Sequence, residues 1–332
     1  MRAFHRSGKK VLIIGKLPLP IGGVRIHVQR LIQDLDKRGY TDFIFHDLDR
    51  NPFWKVFTET GKYGAVHLHT SNPWFQLAMS LYCQFLQVPL IITYHSNIGR
   101  YNFTRNMAES MSVVIADIPI VQNKESLIKT KKLNAKVILM STFIPPVYIN
   151  PLNDVIRQQI LDLKKQYRYL FCTNAWNVTF DTQGREIYGI SELMDCISLN
   201  NQSVLIISDP SGNYQRYIKK LRTTLPVNVF WISESHDFWN ILEHSHAFVR
   251  NTITDGTSLS IQEALRCDTV VFALDSVSRS PACHLYHDLR CFDLEKELEI
   301  ILKRPVKAAQ KPFFSGTVDD LIKLYKRCID QI

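Results

Sequence analysis

Val11-Leu12-Ile13-Ile14-Gly15-Lys16-Leu17-Pro18-Leu19-Pro20-Ile21-Gly22-Gly23-Val24 is the stretch that decides the architecture. Residues 11–14 form a short apolar run rich in β-branched side chains, which reads as a buried strand. Beyond the loop, Val24, Val28, Leu31, Ile32 and Leu35 recur at the helical period and make one apolar stripe that faces a sheet. Strand, loop and helix in this order open a βαβ unit, and the same alternation continues outward along the chain. Further strands are expected at 43–45, 65–69, 90–94, 113–115, 118–121 and 137–140. In the loop, Gly22 and Gly23 allow close approach of a group to the backbone, and the free amides of the helix start favour an anion. The same dipeptide also serves as a plain tight turn. The spacing is neither the dinucleotide fingerprint nor the Walker pattern.

Three prolines and an asparagine in Ile144-Pro145-Pro146 and Asn150-Pro151 punctuate the pattern and read as an inter-domain linker. A second series follows, with strands expected at 169–173, 204–207, 227–232, 246–249 and 269–272. The fold class predicted is α/β with two Rossmann-like, doubly wound domains, 1–150 and 151–315, followed by a helical segment within 316–332. In such sheets ligands sit at the carboxyl ends of the strands. The length of 332 residues agrees with two domains.

Hydrophobic residues are 45% of the chain and charged residues 21%, ordinary globular usage, which excludes a disordered chain or an integral membrane protein. A net charge of +9 admits nucleic acid, an anionic membrane surface or phosphorylated small molecules as partners. The basic residues are scattered and no zinc-finger or RNA-binding signature accompanies them, so nucleic acid is not expected. Seven cysteines without a C-x-x-C pair fit a reducing compartment, and the expected location is cytoplasmic, with peripheral attachment to the inner face of the plasma membrane as an option. The aromatic pairs Phe53-Trp54 and Trp74-Phe75, with nearby basic residues, suit an anionic membrane interface as well as core packing.

His67 and His69 share one face of a strand, yet no carboxylate or cysteine of ligand spacing joins them, and a structural role is expected rather than a metal site. His95 follows an apolar strand and falls near its carboxyl end, where ligands bind. The most informative segment runs from Phe248 through Asp255-Gly256-Thr257-Ser258-Leu259 to Glu263-Ala264-Leu265. There a strand ends near Arg250, a polar loop carries Asp255, and hydroxyl residues lead into a helix that contains Glu263. Amides at that helix start suit a diphosphate, Asp255 suits sugar hydroxyls, and Glu263 suits a ribose. A capped helix with an ordinary glutamate explains the same residues.

The segment resembles the donor site of the family 4 glycosyltransferases of GT-B architecture, which carry two acidic residues with seven between them. Here these are Asp255 and Glu263, with Ala264-Leu265 and Thr269-Val270-Val271-Phe272 following. Pro20-Ile21-Gly22-Gly23, Val66-His67-Leu68-His69, Tyr94-His95-Ser96 and 227–232 resemble further motifs of that family in the same order. The resemblance implies two domains facing each other across a cleft. It implies retaining transfer of a sugar from a nucleoside-diphosphate sugar to a saccharide acceptor, lipid-linked, in bacterial surface polysaccharide synthesis such as capsule or lipopolysaccharide. Catalytic residues would be His95 and Asp255. Donor-binding residues would be Gly22, Gly23, Arg185, Arg250, Gly256, Thr257, Ser258, Leu259 and Glu263, without a metal or other cofactor. The terminal helix would cross back to the first domain.

Two departures from that pattern stand out. Aspartate fills the first acidic position, where glutamate is common, and the family's early diphosphate cations are missing from Asn174-Ala175-Trp176-Asn177 and Ile187-Tyr188-Gly189-Ile190, leaving Arg185 or Arg250 to replace them. The sequences Asp34-Leu35-Asp36 and Asp47-Leu48-Asp49 match the D-x-D form of metal-dependent enzymes but are expected to be structural. A catalytically inert GT-B-like accessory protein and a sugar-nucleotide epimerase are the alternative functions.

Overall fold

A computed structural model describes residues 10–18, 22–303 and 316–330 of the chain. It divides into two compact units, one of Met1–Val147 with Phe314–Ile332 and one of Tyr148–Phe313.

The first unit is a parallel sheet of β1 (Val11–Gly15), β2 (Phe43–Asp47), β3 (Ala65–His69), β4 (Leu90–Thr93), β5 (Ile118–Val121) and β6 (Ile138–Leu139). Its spatial order is β2-β1-β3-β4-β5-β6, so the winding reverses between β1 and β3. β1, β3 and β4 are buried along their whole length, because helices cover both faces of a parallel sheet. One face packs on Val56, Phe75, Met79 and Val113. The other packs on Leu31 and Leu35 of helix Gly23–Lys37 and on Val318, Leu321, Leu324 and Tyr325 of the terminal helix Thr317–Asp330.

The second unit contains β7 (Tyr169–Asn174), β8 (Ser203–Ser208), β9 (Val229–Ile232), β10 (Ala247–Arg250), β11 (Val270–Leu274) and β12 (His284–Tyr286). The order is β12-β11-β10-β7-β8-β9, all parallel, and the winding reverses between β7 and β10. Within the unit this is the dinucleotide-fold order, with a crevice at the carboxyl ends of β7 and β10.

Two local expectations need correction. Residues 113–115 are not a strand but the last turn of helix Phe103–Ile115, which begins at Asn102, whose side chain accepts from the Arg105 amide. Val113 is buried while Val114 is 55% exposed, the one-sided burial of a helix; a short apolar run does not by itself distinguish the two. The edge strand β12 was not anticipated, because three residues with two side chains exposed leave almost no periodic signal. Residues 19–21 of the glycine loop lie outside the described residues.

Candidate functional site

The chemistry-bearing side chains gather at the carboxyl edges of both sheets, beside each reversal of winding. In the second unit Asn174 ends β7 and Arg250 ends β10. Arg250 Nη1 donates to Asn174 Oδ1 at 3.2 Å, and its Nε donates to Asp255 Oδ2 at 3.0 Å. The guanidinium also lies over the Tyr188 ring, 5.1 Å from its centre. A second arginine that the sequence reading did not single out, Arg279, reaches the same Asp255 Oδ2 at 3.0 Å and donates to the backbone oxygens of Thr252 and Leu274. Burial pushes the Asp255 carboxyl up, but the Arg250 and Arg279 charges outweigh burial and hold it below the ordinary carboxylate range. Two guanidinium groups against one carboxylate leave this buried cluster with a local positive charge.

Above the cluster, Ser258 caps helix Leu259–Arg266 by accepting from the Ile261 amide at 3.4 Å. Asn174 Nδ2 donates to Ser260 Oγ at 2.8 Å and so ties the strand end to the first turn of that helix. Gly256 and Thr257 form the half-buried approach to it, Leu259 is its first residue, and Glu263 is buried at its centre. Neighbouring Gly189 has φ +56°, and a Cβ there would stand 2.4 Å from Asn251 Nδ2, so only glycine fits. Asn251 Nδ2 donates to the Gly189 oxygen and to Glu192, and its Oδ1 accepts from Tyr286. Arg185 is exposed and paired with Asp181 at 2.8 Å, and it lines a cavity of about 500 Å³ with Glu192, Asn251, Asp288 and Arg290.

In the first unit, among the described residues, helix Gly23–Lys37 starts without a side-chain cap and no acidic residue stands in its first turn, an arrangement that suits an anion. Gly22 is its N-cap with φ −171°, extended backbone that any residue adopts, and a Cβ there would meet nothing within 4 Å. The demand at Gly22 is therefore not conformational. Four imidazoles meet beside this helix. His69 Nδ1 lies 3.1 Å from His95 Nε2, His27 Nδ1 is 2.6 Å from the Thr142 carbonyl, and His67 bridges Tyr325 Oη and Thr93 Oγ1 at 2.6 and 2.8 Å. Burial, reinforced by the neighbouring imidazoles, holds His67 down at about 3 and His69 and His95 well below the usual histidine value. His27, also mainly through burial, is lowered to about 4. All four rings are neutral near pH 7.

The structure thus brings Arg250, Asp255, Gly256, Thr257, Ser258, Leu259 and Glu263 into one neighbourhood of the second unit, and Gly22, Gly23 and His95 into one neighbourhood of the first. Arg185 stands apart from the Arg250 cluster in its ion pair with Asp181. Arg279 could not be found by motif, since it returns from 24 residues beyond Asp255 without a local pattern. Both D-x-D sequences lie in surface ion pairs, Asp34 with Arg38 and Asp49 with Lys16 and Arg25.

Two doubly wound parallel sheets of this order define the GT-B architecture. Solved structures that share it include HepE of Anabaena in complex with UDP-glucose, which aligns over 97% of this chain and 98% of its own with a TM-score of 0.65 and 11% identity. A glycosyltransferase of Rickettsia africae aligns over 98% of this chain and 100% of its own, with a TM-score of 0.68 and 11% identity. Sucrose-phosphate synthase of Thermosynechococcus elongatus aligns over 97% and 94%, with a TM-score of 0.61 and 17% identity. At these identities the likeness is one of fold. No family model and no curated protein sequence matches the chain.

Proposed function

We propose that the chain is a glycosyltransferase that moves a sugar from a nucleoside-diphosphate sugar to a saccharide acceptor, with retention of anomeric configuration. The observation that carries this reading is the Asn174, Arg250 and Asp255 cluster at the β7 and β10 reversal, set against the capped amino end of helix Leu259–Arg266. A leaving nucleoside diphosphate develops negative charge, and fixed amides with a positively charged cluster stabilise it without reorganisation. HepE, which shares the fold, was solved with UDP-glucose, and this supports the donor class. In this reading Glu263 takes the ribose, His95 lies near the transferred sugar, and the diphosphate is met by amides and Arg250 rather than by a divalent ion.

The acceptor is proposed to be lipid-linked, in bacterial surface polysaccharide synthesis, with the first unit resting on an anionic membrane. Two adjacent helices support this. Trp74, Leu81 and Phe85 form an exposed stripe on Pro73–Leu86, and Phe103, Met107, Met111 and Val114 form another on Phe103–Ile115. Exposed apolar stripes on a chain of net charge +9 match an anionic lipid surface. Among the described residues, no helix is long and apolar enough to cross a membrane.

A non-catalytic GT-B protein is the second reading, favoured by the engagement of Asp255 with two arginines and of Arg185 with Asp181. Incubation with a panel of uridine and guanosine diphosphate sugars, followed by detection of released nucleotide, separates the two. Turnover with any donor, unchanged by added magnesium, supports the transferase; nucleotide binding without turnover supports the inert protein.

A further inference from the structure

We propose that the first unit holds a divalent transition metal, zinc, on one ring nitrogen each of His27, His69 and His95, with a fourth position open to an anion. One such nitrogen from each ring lies within 4.8 Å of the others. The three ring centres are 5.1, 5.0 and 5.4 Å apart. Three imidazoles bound tetrahedrally to zinc at about 2.05 Å place their ring centres about 5.2 Å apart and their ligating nitrogens about 3.3 Å apart. His69 Nδ1 and His95 Nε2 already stand 3.1 Å apart.

Hydrogen bonding points the same way. His27 is 2% exposed, and its Nδ1 donates to the Thr142 carbonyl, which leaves Nε2 as a bare lone pair. A histidine that binds metal typically fixes its other nitrogen on such a carbonyl. His27 Nε2 and His69 Nε2 are both buried without a hydrogen-bond partner. If the cluster were only packed imidazoles, each orphaned nitrogen would stay desolvated without compensation; a metal ion removes the penalty on His27 directly. His67 is not a ligand, because both of its nitrogens are engaged by Tyr325 and Thr93, but its ring packs 4.0 Å from that of His69 and buttresses it.

The place in the fold also fits. His27 follows β1, His69 ends β3 and His95 follows β4, so the three converge at the carboxyl edge where the winding reverses. An all-nitrogen set of three histidines suits zinc or cobalt and leaves one position vacant. No carboxylate is among the ligands, so the ion keeps its full double charge, and its fourth partner is an anion: hydroxide, or a phosphoryl or carboxylate oxygen. His95 is the least buried of the three, and such a ligand enters past it.

This inference does not rest on glycosyl transfer, and its test reads metal rather than turnover. The full chain, stripped with a chelator and dialysed, is titrated with cobalt(II) and followed in the visible spectrum and by equilibrium dialysis. The expected result is one cobalt per chain with the intense absorption of a four-coordinate site, displaced by zinc. His95→Ala, the least buried of the three, should weaken binding by roughly 100-fold, at or beyond the loss caused by removing a ligand's outer hydrogen-bond partner. His287→Ala, on the surface, should leave it unchanged. An unaltered chain that takes up no cobalt, or one whose binding survives in a folded His95→Ala variant, overturns the proposal.

Discussion

Asn174 Oδ1 accepts from Arg250 Nη1 at 3.2 Å, so the amide that closes β7 holds the guanidinium that closes β10. The other end of the same amide holds Ser260. Asn174→Ala removes both bonds and should cost about 1–2 kcal/mol in urea unfolding. It should also weaken nucleoside diphosphate binding measured by calorimetry, because the arginine and the helix lose their common anchor.

Arg250→Ala removes one of the two charge partners of Asp255 and the bond to Asn174, while Arg279 still pairs with the carboxylate, and unfolding should show a loss of about 1.5–3 kcal/mol. Arg250→Ala with Asp255→Ala should lose less than the sum of the single changes. A double-mutant cycle that returned strict additivity would deny the coupling.

Gly189 and Gly184 both have positive φ, +56° and +76°, but only Gly189 has a neighbour, Asn251, in the way of a Cβ. Gly184→Ala should cost about 1 kcal/mol, the backbone strain alone. Gly189→Ala should cost clearly more, since it also displaces the Asn251 side chain that bonds Glu192 and Tyr286. Equal losses in chemical denaturation would refute the steric argument.

His246 Nδ1 accepts from the Leu170 amide at 3.0 Å, a bond that requires an unprotonated nitrogen. Burial, with Lys164 assisting, lowers its folded pKa below the ordinary histidine value. The unfolded chain therefore takes up the proton first as pH falls. The stability that His246 contributes is fully present above about pH 6.5, the unfolded value, and is lost as pH falls through the folded value. Unfolding free energies between pH 7.5 and 5 should decline less steeply for His246→Gln than for the parent chain.

Phe85 and Phe103 are each 81% exposed. Phe85→Ser with Phe103→Ser should change stability by no more than about 0.5 kcal/mol per site. The pair should nevertheless abolish co-sedimentation with vesicles rich in phosphatidylglycerol. Unchanged sedimentation would remove the membrane from the proposed function.

Much of this fold is legible in the chain because parallel strands buried on both faces read as unbroken apolar runs, as in 11–14 and 204–207. Burial on one face only is what hid the true nature of 113–115, where Val113 and Val114 differ in exposure but not in residue type. The site is legible where its residues are local, as from Arg250 to Glu263. It is not legible where they converge from afar: Arg279 reaches Asp255 from a later loop, and His27, His69 and His95 come from three separate βα segments. Motif spacing carries no signal for such meetings. The partner of Asp255 therefore had to be seen, although its position could be read.

The terminal helix Thr317–Asp330 covers β1, β3, β4 and β5 of the first unit, with Tyr325 bonded to His67, while the whole second unit intervenes in the chain. During synthesis the usual order, amino-terminal domain first, is thereby inverted. The second unit is contiguous and is able to close as soon as it emerges. The first is completed only once helix Thr317–Asp330 has followed, to join Leu31 and Leu35 on the same face of its sheet. That delay leaves the strands of the first unit partly uncovered while the second is being made.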